Sequence, residues 1–406
     1  MSPADSVVAR RILFISPSAT VGGAERSLLE LIGGLPPARF EPYLILPRDG
    51  PLADVARAAG ARVSVVAWPA PLLRLGRERT LSNRLLPLLA PFLLLPVLVR
   101  IARFARRHRI DLIHTNGTKT HLASWPAAAA AGIPLVWHIR DVLAPGPLAT
   151  AMRVLGGVLP GAIIANSRAS AGPMTAKAAE GRVRVIYNGL DPGLFRPAEP
   201  DPGLRGSLGL DPGSFVIGAL GALTPLKGHL HLIRAMPEIL AGIPHARLVI
   251  VGAEMYDTAG HQGYRGFLES EIERLGLAGR VLLPGRRDEI VPLYNIMDIV
   301  VNSSVRPESF GRTLIEAMAC ETPVISTNLG GPREIIVDPA HGILVPPADP
   351  AALARSILDL YADPVRREAM GRAGRRRVLE AFTVDRHVRE VCQVYDELLA
   401  SGRPQG

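Results

Sequence analysis

The chain of 406 residues is poor in several residue types, and each shortage argues against a class of protein. Its two cysteines, Cys320 and Cys392, are too few for a disulfide framework and lack the spacing of a metal site. A reducing compartment is therefore expected. Aromatic residues make up only 5% of the chain and do not alternate with the arginines, which disfavours a nucleic-acid-binding module.

Lysine is scarce as well. Lys119, Lys177 and Lys227 are the three lysines among 46 basic residues, so arginine supplies most of a formal net charge of +9. A positive balance favours anionic partners such as nucleotide phosphates, anionic lipid surfaces or nucleic acid, but it does not choose among them. Hydrophobic residues, in contrast, make up 48% of the chain, which indicates a globular protein of two or three domains at this length.

Two functional sequence patterns are also missing. No Asp-x-Asp pair occurs, although enzymes that bind a diphosphate through a divalent metal commonly need one. We therefore expect no metal and no other cofactor. The first residues lack the apolar core of a signal peptide, so we expect a cytoplasmic protein.

Acidic residues are absent from the segment between Glu78 and Asp111. This segment contains a nearly continuous apolar run, 85–99, that is too short to span a bilayer and includes three prolines. Six arginines lie within or beside the run, namely Arg84, Arg100, Arg103, Arg106, Arg107 and Arg109. We predict peripheral contact with an anionic membrane through 84–109, and an internal helix with a solvated arginine face is the alternative.

Short apolar runs alternate with helical periods along the whole chain. This alternation predicts an α/β fold in which mainly parallel sheets carry helices on both faces. A stretch rich in Pro, Gly and Asp, 191–213, indicates a linker between two Rossmann-like halves. Ligands of such sheets bind at the carboxyl ends of the strands, so we expect the site in the cleft between the halves.

The stretch 307–334 is the most informative part of the sequence. Glu308 and Glu316 stand eight residues apart, and Gly311 lies between them where a loop turns into a helix. The helix is apolar nearly all round, so the carboxylate of Glu316 needs a partner such as a ribose diol, backbone amides or an arginine. The first N–H groups of the helix attract phosphate. The stretch is typical of a cradle for a sugar nucleotide, and an amphipathic helix with one solvated Glu is the alternative.

With its flanking motifs, the chain resembles a retaining glycosyltransferase of family four, which has the GT-B fold. The matching positions are Gly22 to Glu25, Asp111 to His114, His138, Asn166-Ser167, Asn188 to Asp191, Lys227-Gly228, Gly285, Glu308 to Glu316 and Gly330 to Glu334. The resemblance implies an acceptor domain at 1–192 and a donor domain at 193–382. It also implies that a last helix, within 383–406, crosses back to the first domain.

The resemblance assigns roles to individual residues. Glu308, Lys227 and His138 are implied as catalytic, with Lys227 on the diphosphate and Glu308 near the reacting carbon. Lys227 follows a strand and a short loop, from which a point charge can reach a diphosphate. The residues implied to contact the nucleotide sugar are Gly22, Gly23, Lys227, Arg286, Glu308, Phe310, Gly311, Arg312, Thr313, Leu314 and Glu316. Glu25, Asn116 and Arg140 are candidates for the acceptor side.

The implied reaction is metal-independent transfer of a sugar from a nucleotide-diphosphate sugar, with its anomeric configuration retained. The apolar and basic segment makes a lipid-linked or membrane-proximal acceptor, in envelope polysaccharide or glycolipid synthesis, our hypothesis. One position departs from the family: Ala222 stands where relatives often have a diphosphate-binding arginine. Weaker donor contact, replacement by Arg140 or Arg306, or binding by backbone amides alone would follow.

Four alternatives remain on sequence grounds. A hydrolase could use Glu308 and Glu316 as its carboxylate pair. A GT-B epimerase or phosphorylase would share the same nucleotide site. A catalytically impaired nucleotide-sugar-binding protein would account for Ala222.

Overall fold

The computed structural model describes residues 8–69, 86–174, 181–254, 263–337 and 339–401. The chain separates into two compact units: unit 1 comprises Met1–Gly189 and Val384–Gly406, and unit 2 comprises Leu190–Thr383. The first boundary thus lies at 189/190, close to the 192/193 expected from the sequence. Arg84, Leu85 and Lys177, which entered the sequence predictions, lie outside the described residues.

Unit 1 contains a parallel sheet that has seven strands in the described part of the chain. Its strands are β1 (Arg10–Ile15), β2 (Phe40–Leu46), β3 (Arg62–Val65), β4 (Leu112–Asn116), β5 (Leu135–Ile139), β6 (Ala162–Ala165) and β7 (Val183–Val185). Its helices before the boundary are α1 (Gly23–Gly34), α2 (Pro51–Ala58), α3 (Leu86–Arg107), α4 (Thr118–Ala131), α5 (Pro147–Gly156) and α6 (Arg168–Ala171). The order across the sheet is β3-β2-β1-β4-β5-β6-β7.

Unit 2 contains a second parallel sheet, with six strands among its described residues. They are β8 (Phe215–Leu220), β9 (Ala246–Val251), β10 (Val281–Gly285), β11 (Ile299–Asn302), β12 (Val324–Thr327) and β13 (Ile343–Val345), in the order β10-β9-β8-β11-β12-β13. The helices are α7 (Pro202–Ser207), α8 (His229–Gly242), α9 (Tyr264–Arg274), α10 (Ile290–Asn295), α11 (Arg312–Ala319), α12 (Pro332–Ile335), α13 (Pro350–Ala362) and α14 (Pro364–Ala381).

Strand β1 shows why the apolar runs become central strands. Ile12 and Phe14 belong to the hydrophobic cluster on one face of the sheet, and Leu13 and Ile15 belong to the cluster on the other. All four side chains are fully buried, because successive side chains of a strand point to opposite faces and helices cover both. The predicted α/β fold with parallel sheets is therefore confirmed.

The last helix, α15 (Val384–Ser401), belongs to unit 1. Val388, Val391 and Tyr395 lie in the same hydrophobic cluster as Ile12 and Phe14 of β1. The apolar positions of α15 recur at helical spacing, so one stripe of the helix is buried against the sheet and α1. The expected return of the last helix to the first domain is confirmed.

Helix α3 contains most of the apolar and basic segment. Its inward residues Val97, Ile101, Ala102 and Ala105 are buried, whereas Leu95 is 57% exposed. Arg100, Arg103 and Arg107, whose spacing places them on one helical face, are all exposed. Within the described residues, the structure has no helix with both the length and the apolar character needed to cross a bilayer.

The sequence prediction missed some short elements. The stretch 191–213, interpreted as a linker, contains helix α7, because Asp201 caps the amides of Gly203 and Leu204 and Pro202 occupies the first turn. Helices α5 and α6 and strand β7 were also not predicted. Their runs are short, so periodicity gives little signal.

Candidate active site

In each sheet the order of the strands along the chain reverses at one point, and the candidate residues lie near that point. In unit 1, β1 lies between β2 and β4, and in unit 2, β8 lies between β9 and β11. Ligands of open parallel sheets bind beyond the carboxyl ends of the strands at such a switch point. The candidates Gly22 and Asn116 follow β1 and end β4, and Lys227 and Glu308 follow β8 and β11.

Lys227 ends a short turn, Pro225–Lys227, after β8. Gly228 follows with φ +65, and a Cβ there would stand 2.0 Å from the carbonyl oxygen of Ser303, so only glycine fits. The turn is bonded to the loop after β11: Val305 N–H donates to Leu226 O at 2.9 Å, and Ser303 Oγ donates to Lys227 O at 3.0 Å. The backbone of Lys227 is thereby fixed beside the segment that carries Glu308.

Glu308 and Lys227 form an ion pair. Lys227 Nζ and Ser304 Oγ each lie 2.5 Å from Oε1 of Glu308. Burial alone would raise the pKa of the Glu308 carboxyl, but Lys227, with hydrogen bonds from Ser304 and Asn302, lowers it below its ordinary value. Glu308 is therefore a carboxylate, and the Lys227 side chain, 34% exposed, is the more accessible partner.

Two glycines hold the Glu308 segment. Gly331 N–H donates to Glu308 O at 2.9 Å, and a Cβ on Gly331 would stand 2.4 Å from Phe310 O. Gly330 has φ +70, and a Cβ there would stand 2.2 Å from Glu308 O. The Gly330-Gly331 pair of the sequence motif thus permits a close backbone approach to residues 308–310.

Glu316 lies one turn into α11 and is buried. Arg312 Nε donates to its Oε1 at 2.7 Å, and the Tyr294 hydroxyl donates to its Oε2 at 2.9 Å. Of the partners considered from the sequence, the arginine is thus present, and Tyr294 on α10 was not foreseen. Burial raises the pKa of the Tyr294 hydroxyl well above its ordinary value, and the Glu316 carboxylate adds to this, so Tyr294 is a stable donor.

The other donor-side candidates of unit 2 differ in accessibility. Arg286 is exposed and lies 3.6 Å from the carboxylate of Asp288, whereas the side chain of Phe310 is buried against Phe382. Gly311, the residue before α11, has φ +105, and the amide of Leu314 donates to the Gly311 carbonyl at 3.0 Å. Leu314 N–H is therefore engaged within the first turn. Thr313 lies between them, partly exposed.

In unit 1, Gly22 and Gly23 mark the start of α1. Gly22 caps the helix, and its N–H donates to Glu25 Oε2 at 3.1 Å. Burial raises the pKa of Glu25, although hydrogen bonds from its own amide and Gly22, together with Arg140, oppose the rise. Glu25 thus satisfies the helix terminus and lies within electrostatic range of Arg140.

Arg140, directly after β5, is buried and joins three strand ends. Its Nε donates to Asn116 Oδ1 at 2.6 Å, its Nη1 to Asn188 Oδ1 at 2.5 Å, and its Nη2 to His138 Nδ1 at 3.3 Å. The guanidinium is thus engaged inside unit 1. Arg140 is therefore disfavoured as a replacement for the arginine missing at Ala222. The other candidate, Arg306, is exposed.

His138 lies in β5 beside Asn116 of β4 and is fully buried. Its Nδ1 lies 3.1 Å from His114 Nε2, and His114 Nδ1 lies 2.7 Å from the hydroxyl of Tyr395. Burial lowers the pKa of both imidazoles well below the ordinary value, and Arg140 lowers them further, so both rings are neutral. Nε2 of His138 has no hydrogen-bond partner in the described part of the chain.

The structure thus gathers Lys227, Glu308 and the start of α11 at one edge in unit 2. In unit 1 it gathers Asn116, His138 and Arg140. Sequence reasoning missed their supporting partners, which are Tyr294, Asn302, Ser304, His114, Asn188 and Tyr395. Of these, His114 and Asn188 stood in quoted motifs, whereas Tyr294 and Tyr395 lie on distant helices without a local signal.

Comparisons with known proteins cover both units. The family model for group 1 glycosyl transferases matches residues 202–377, and the model for glycosyltransferase family 4 matches residues 21–194. A D-inositol 3-phosphate glycosyltransferase of Salinispora arenicola is 31% identical over 73% of this chain and 70% of its own. A lipopolysaccharide core mannosyltransferase, LpcC, of Rhizobium leguminosarum is 33% identical over 54% of this chain and 61% of its own.

Among solved structures, HepE of Anabaena in complex with UDP and glucose superposes with a TM-score of 0.80. It is 27% identical, with 95% of this chain and 99% of that chain covered. Against several curated relatives the match is shorter: the chain spans 54–62% of their length.

Proposed function

Because the chain belongs to the group 1 glycosyltransferases of family four, we propose that it transfers a sugar from a nucleotide-diphosphate sugar to an acceptor hydroxyl. The observation that carries this proposal is the Lys227–Glu308 pair at the switch point of the unit 2 sheet, with Nζ and Oε1 2.5 Å apart. Lys227 supplies a cation for a diphosphate, and Glu308 holds that cation in place until the ligand arrives. HepE, the similar protein with UDP and glucose bound, supports a nucleotide sugar as the donor.

Glu316 supports the same donor. A carboxylate has about four acceptor positions, and Arg312 and Tyr294 use two of them. The remaining positions suit the two hydroxyls of a ribose. We propose that this residue binds the ribose while the first turn of α11 faces phosphate.

We propose the bond changes that the family resemblance implies. The bond between the anomeric carbon and the diphosphate oxygen breaks, and a bond from the acceptor oxygen forms on the same face, so the configuration is retained. The departing diphosphate takes the acceptor proton. Lys227 stabilises the negative charge on the leaving group as a preorganised cation. We propose that this makes the transfer independent of a metal.

A membrane-proximal acceptor, in envelope polysaccharide or glycolipid synthesis, is the finer part of the proposal. The exposed Arg100, Arg103 and Arg107 of α3, next to the exposed Leu95, support docking of α3 on an anionic bilayer at the cytoplasmic face. LpcC, whose name refers to the lipopolysaccharide core, supports the acceptor class.

In flotation with anionic liposomes at low salt we expect the protein to rise, and changing Arg100, Arg103 and Arg107 to Gln should abolish this. The matched control changes Arg366, Arg372 and Arg376, which are exposed on α14; a wild-type protein that stays at the bottom contradicts docking.

The transfer is tested by Lys227→Met. A screen of nucleotide sugars by thermal shift first identifies the donor, since binding stabilises the folded state. Loss of the cation should then lower kcat/KM by roughly 10²–10³-fold, the effect typical of one preorganised group. Arg372→Met, which removes an exposed cation paired with Glu368, should leave turnover unchanged. Equal turnover of Lys227→Met and wild type would refute the proposal.

The same assay distinguishes the rival functions. The donor without acceptor should remain intact; a free epimer or a released sugar would indicate an epimerase or hydrolase. Phosphorolysis of a glycan would indicate a phosphorylase. Donor binding without turnover of any acceptor would indicate an impaired nucleotide-sugar-binding protein. Addition of EDTA should leave the rate unchanged, and the anomeric coupling in the product reports retention.

A further inference from the structure

A line of hydrogen bonds in unit 1, here called the relay, joins Tyr395 and His114 to the buried His138. The Tyr395 hydroxyl lies 2.7 Å from His114 Nδ1, and His114 Nε2 lies 3.1 Å from His138 Nδ1. All three side chains are fully buried. Tyr395 comes from α15, the helix that returns from the end of the chain.

The direction of each hydrogen bond in this line follows from its one obligatory donor. Arg140 is always protonated and can only donate, and its Nη2 lies 3.3 Å from His138 Nδ1. Nδ1 of His138 therefore accepts and carries no proton. His114 Nε2 faces the same lone pair of His138 Nδ1, so it must carry a proton and donate a hydrogen bond.

The assignment continues outward to the helix. With its proton on Nε2, the neutral ring of His114 has an unprotonated Nδ1, which can only accept. The Tyr395 hydroxyl is then the donor to that nitrogen. The lowered pKa values of both histidines agree with two neutral rings.

The consequence for His138 lies at its other nitrogen. A neutral imidazole without a proton on Nδ1 carries it on Nε2, and this buried N–H has no acceptor among the described residues. Asn116, the register partner of His138, shows the same feature. Arg140 donates to its Oδ1, so its buried Nδ2 is a second donor without a partner in the described part of the chain. Buried donors require acceptors, so the N–H groups of His138 and Asn116 each need an oxygen atom from a bound molecule.

We propose that Arg140, together with Tyr395 acting through His114, fixes His138 as the tautomer with its proton on Nε2, so that His138 donates a hydrogen bond to a substrate oxygen and cannot act as a base. Asn116 Nδ2 is the second donor to the same substrate. Arg140, Tyr395 and His114 are positioning residues. The proposal deepens the proposed transfer and rests on it only for the identity of the oxygen, a hydroxyl or phosphate oxygen of the nucleotide sugar or acceptor.

The tautomer can be measured without any turnover. Long-range ¹⁵N–¹H correlation spectra of the full chain with ¹⁵N-labelled histidine separate the two neutral tautomers, and His138→Gln and His114→Gln assign the two rings. We expect the proton of both rings on Nε2 at neutral pH. A proton on Nδ1 of His138 overturns the proposal, even if the protein proves to be an active transferase. A proton on Nε2 in a protein that transfers no sugar supports the relay and refutes only the proposed function.

Three variants test the relay in catalysis. Tyr395→Phe removes one donor and keeps the ring, so His114 should populate both tautomers and kcat should fall roughly three- to tenfold, with little change in the donor KM. His114→Gln keeps an N–H near the position of Nε2 and should retain more activity than His114→Leu, which has none. Thr115→Val is the matched control. Thr115 lies on β4 beside His114, and the variant removes a buried hydroxyl that is 2.7 Å from His121 Nδ1 and outside the relay.

The outcomes separate positioning from general stability. A kcat for Tyr395→Phe that falls below that of Thr115→Val, with a changed His138 spectrum, supports the relay. Equal kinetics for Tyr395→Phe and Thr115→Val, or for His114→Gln and His114→Leu, overturn it. A variant that does not fold is recognised from its circular dichroism, and the wild-type tautomer then decides.

Discussion

The two units hold polar side chains at the carboxyl edge of a parallel sheet by different chemistry. In unit 2 the groups are ionised: Lys227 pairs with Glu308, and Arg312 pairs with Glu316. In unit 1 they are neutral imidazoles and amides arranged around a single guanidinium, that of Arg140. An ion pair with an accessible cation can exchange its anion for a ligand. A line of neutral donors and acceptors fixes direction instead, since each ring must carry its proton on one particular nitrogen.

The supports also differ in their distance along the chain. Ser304 and Glu308, like Arg312 and Glu316, are four residues apart in unit 2. In unit 1, Arg140 and Asn188 are 48 residues apart, and His114 and Tyr395 are 281 apart. Part of the unit 2 edge is therefore local, although Lys227 and Glu308 are 81 residues apart, whereas unit 1 also needs a contact from the far end of the chain.

The largest expected effect separates the units by pH. Burial lowers the pKa of His114, His121 and His138 in unit 1, to about 3 for His121. In unit 2 it lowers the pKa of His229 to about 4 and, less strongly, the pKa of the partly exposed His231 and His341. In the unfolded chain these groups bind protons below a pKa of about 6.5, so stability is complete above that pH and is lost as the pH falls. Each buried histidine contributes a slope of about 1.4 kcal/mol per pH unit.

Unit 1 should therefore lose more stability than unit 2 between pH 7 and 5. The three tryptophans, Trp68, Trp125 and Trp137, all belong to unit 1, so their fluorescence in urea follows that unit alone, while circular dichroism follows both. When the pH is lowered from 7 to 5, we expect the urea concentration at the unfolding midpoint to fall more when it is measured by fluorescence than when it is measured by circular dichroism. The raised pKa values of Glu25 and Asp141 act in the opposite direction and reduce the slope. A fluorescence midpoint that stays constant would remove this difference between the units.

The same contrast shows what the sequence could predict. Lys227, Glu308 and Glu316 were found because each stands in a local pattern: a lysine in an arginine-rich chain, or a carboxylate in an apolar helix. The alternation of apolar runs predicted both sheets. Tyr294 and Tyr395 could not be found, because their importance arises only when separate helices pack beside a strand end. The hydrogen-bond partners of Arg140 could not be found for the same reason, since Asn116 and His138 lie in two different strands and Asn188 follows a third.

A second, smaller effect tests the local construction of unit 2. Gly331→Ala should destabilise the protein by about 1–3 kcal/mol, because the new Cβ would overlap the Phe310 carbonyl. The backbone there has φ −56, so the effect is steric and not conformational. Displacement of Glu308 should also weaken donor binding in calorimetry. Gly206→Ala, an exposed helical position with open space around its Cβ, should be neutral or stabilising by about 0.5–1 kcal/mol. Equal midpoints for both variants would contradict the close approach.

The smallest effect distinguishes the two buried tyrosines that donate to site residues. Tyr294→Phe removes one of the two donors to Glu316 while Arg312 remains, so donor affinity should fall roughly three- to tenfold with kcat nearly unchanged. Tyr395→Phe should do the reverse, because its hydroxyl orients a ring and does not hold a ligand-binding carboxylate. Tyr361→Phe, whose ring packs edge-on against Phe215, serves as the control for loss of a hydroxyl. If Tyr294→Phe lowered kcat and left affinity intact, Glu316 would act on the reacting sugar, and the assignment of ribose binding to this carboxylate would be wrong.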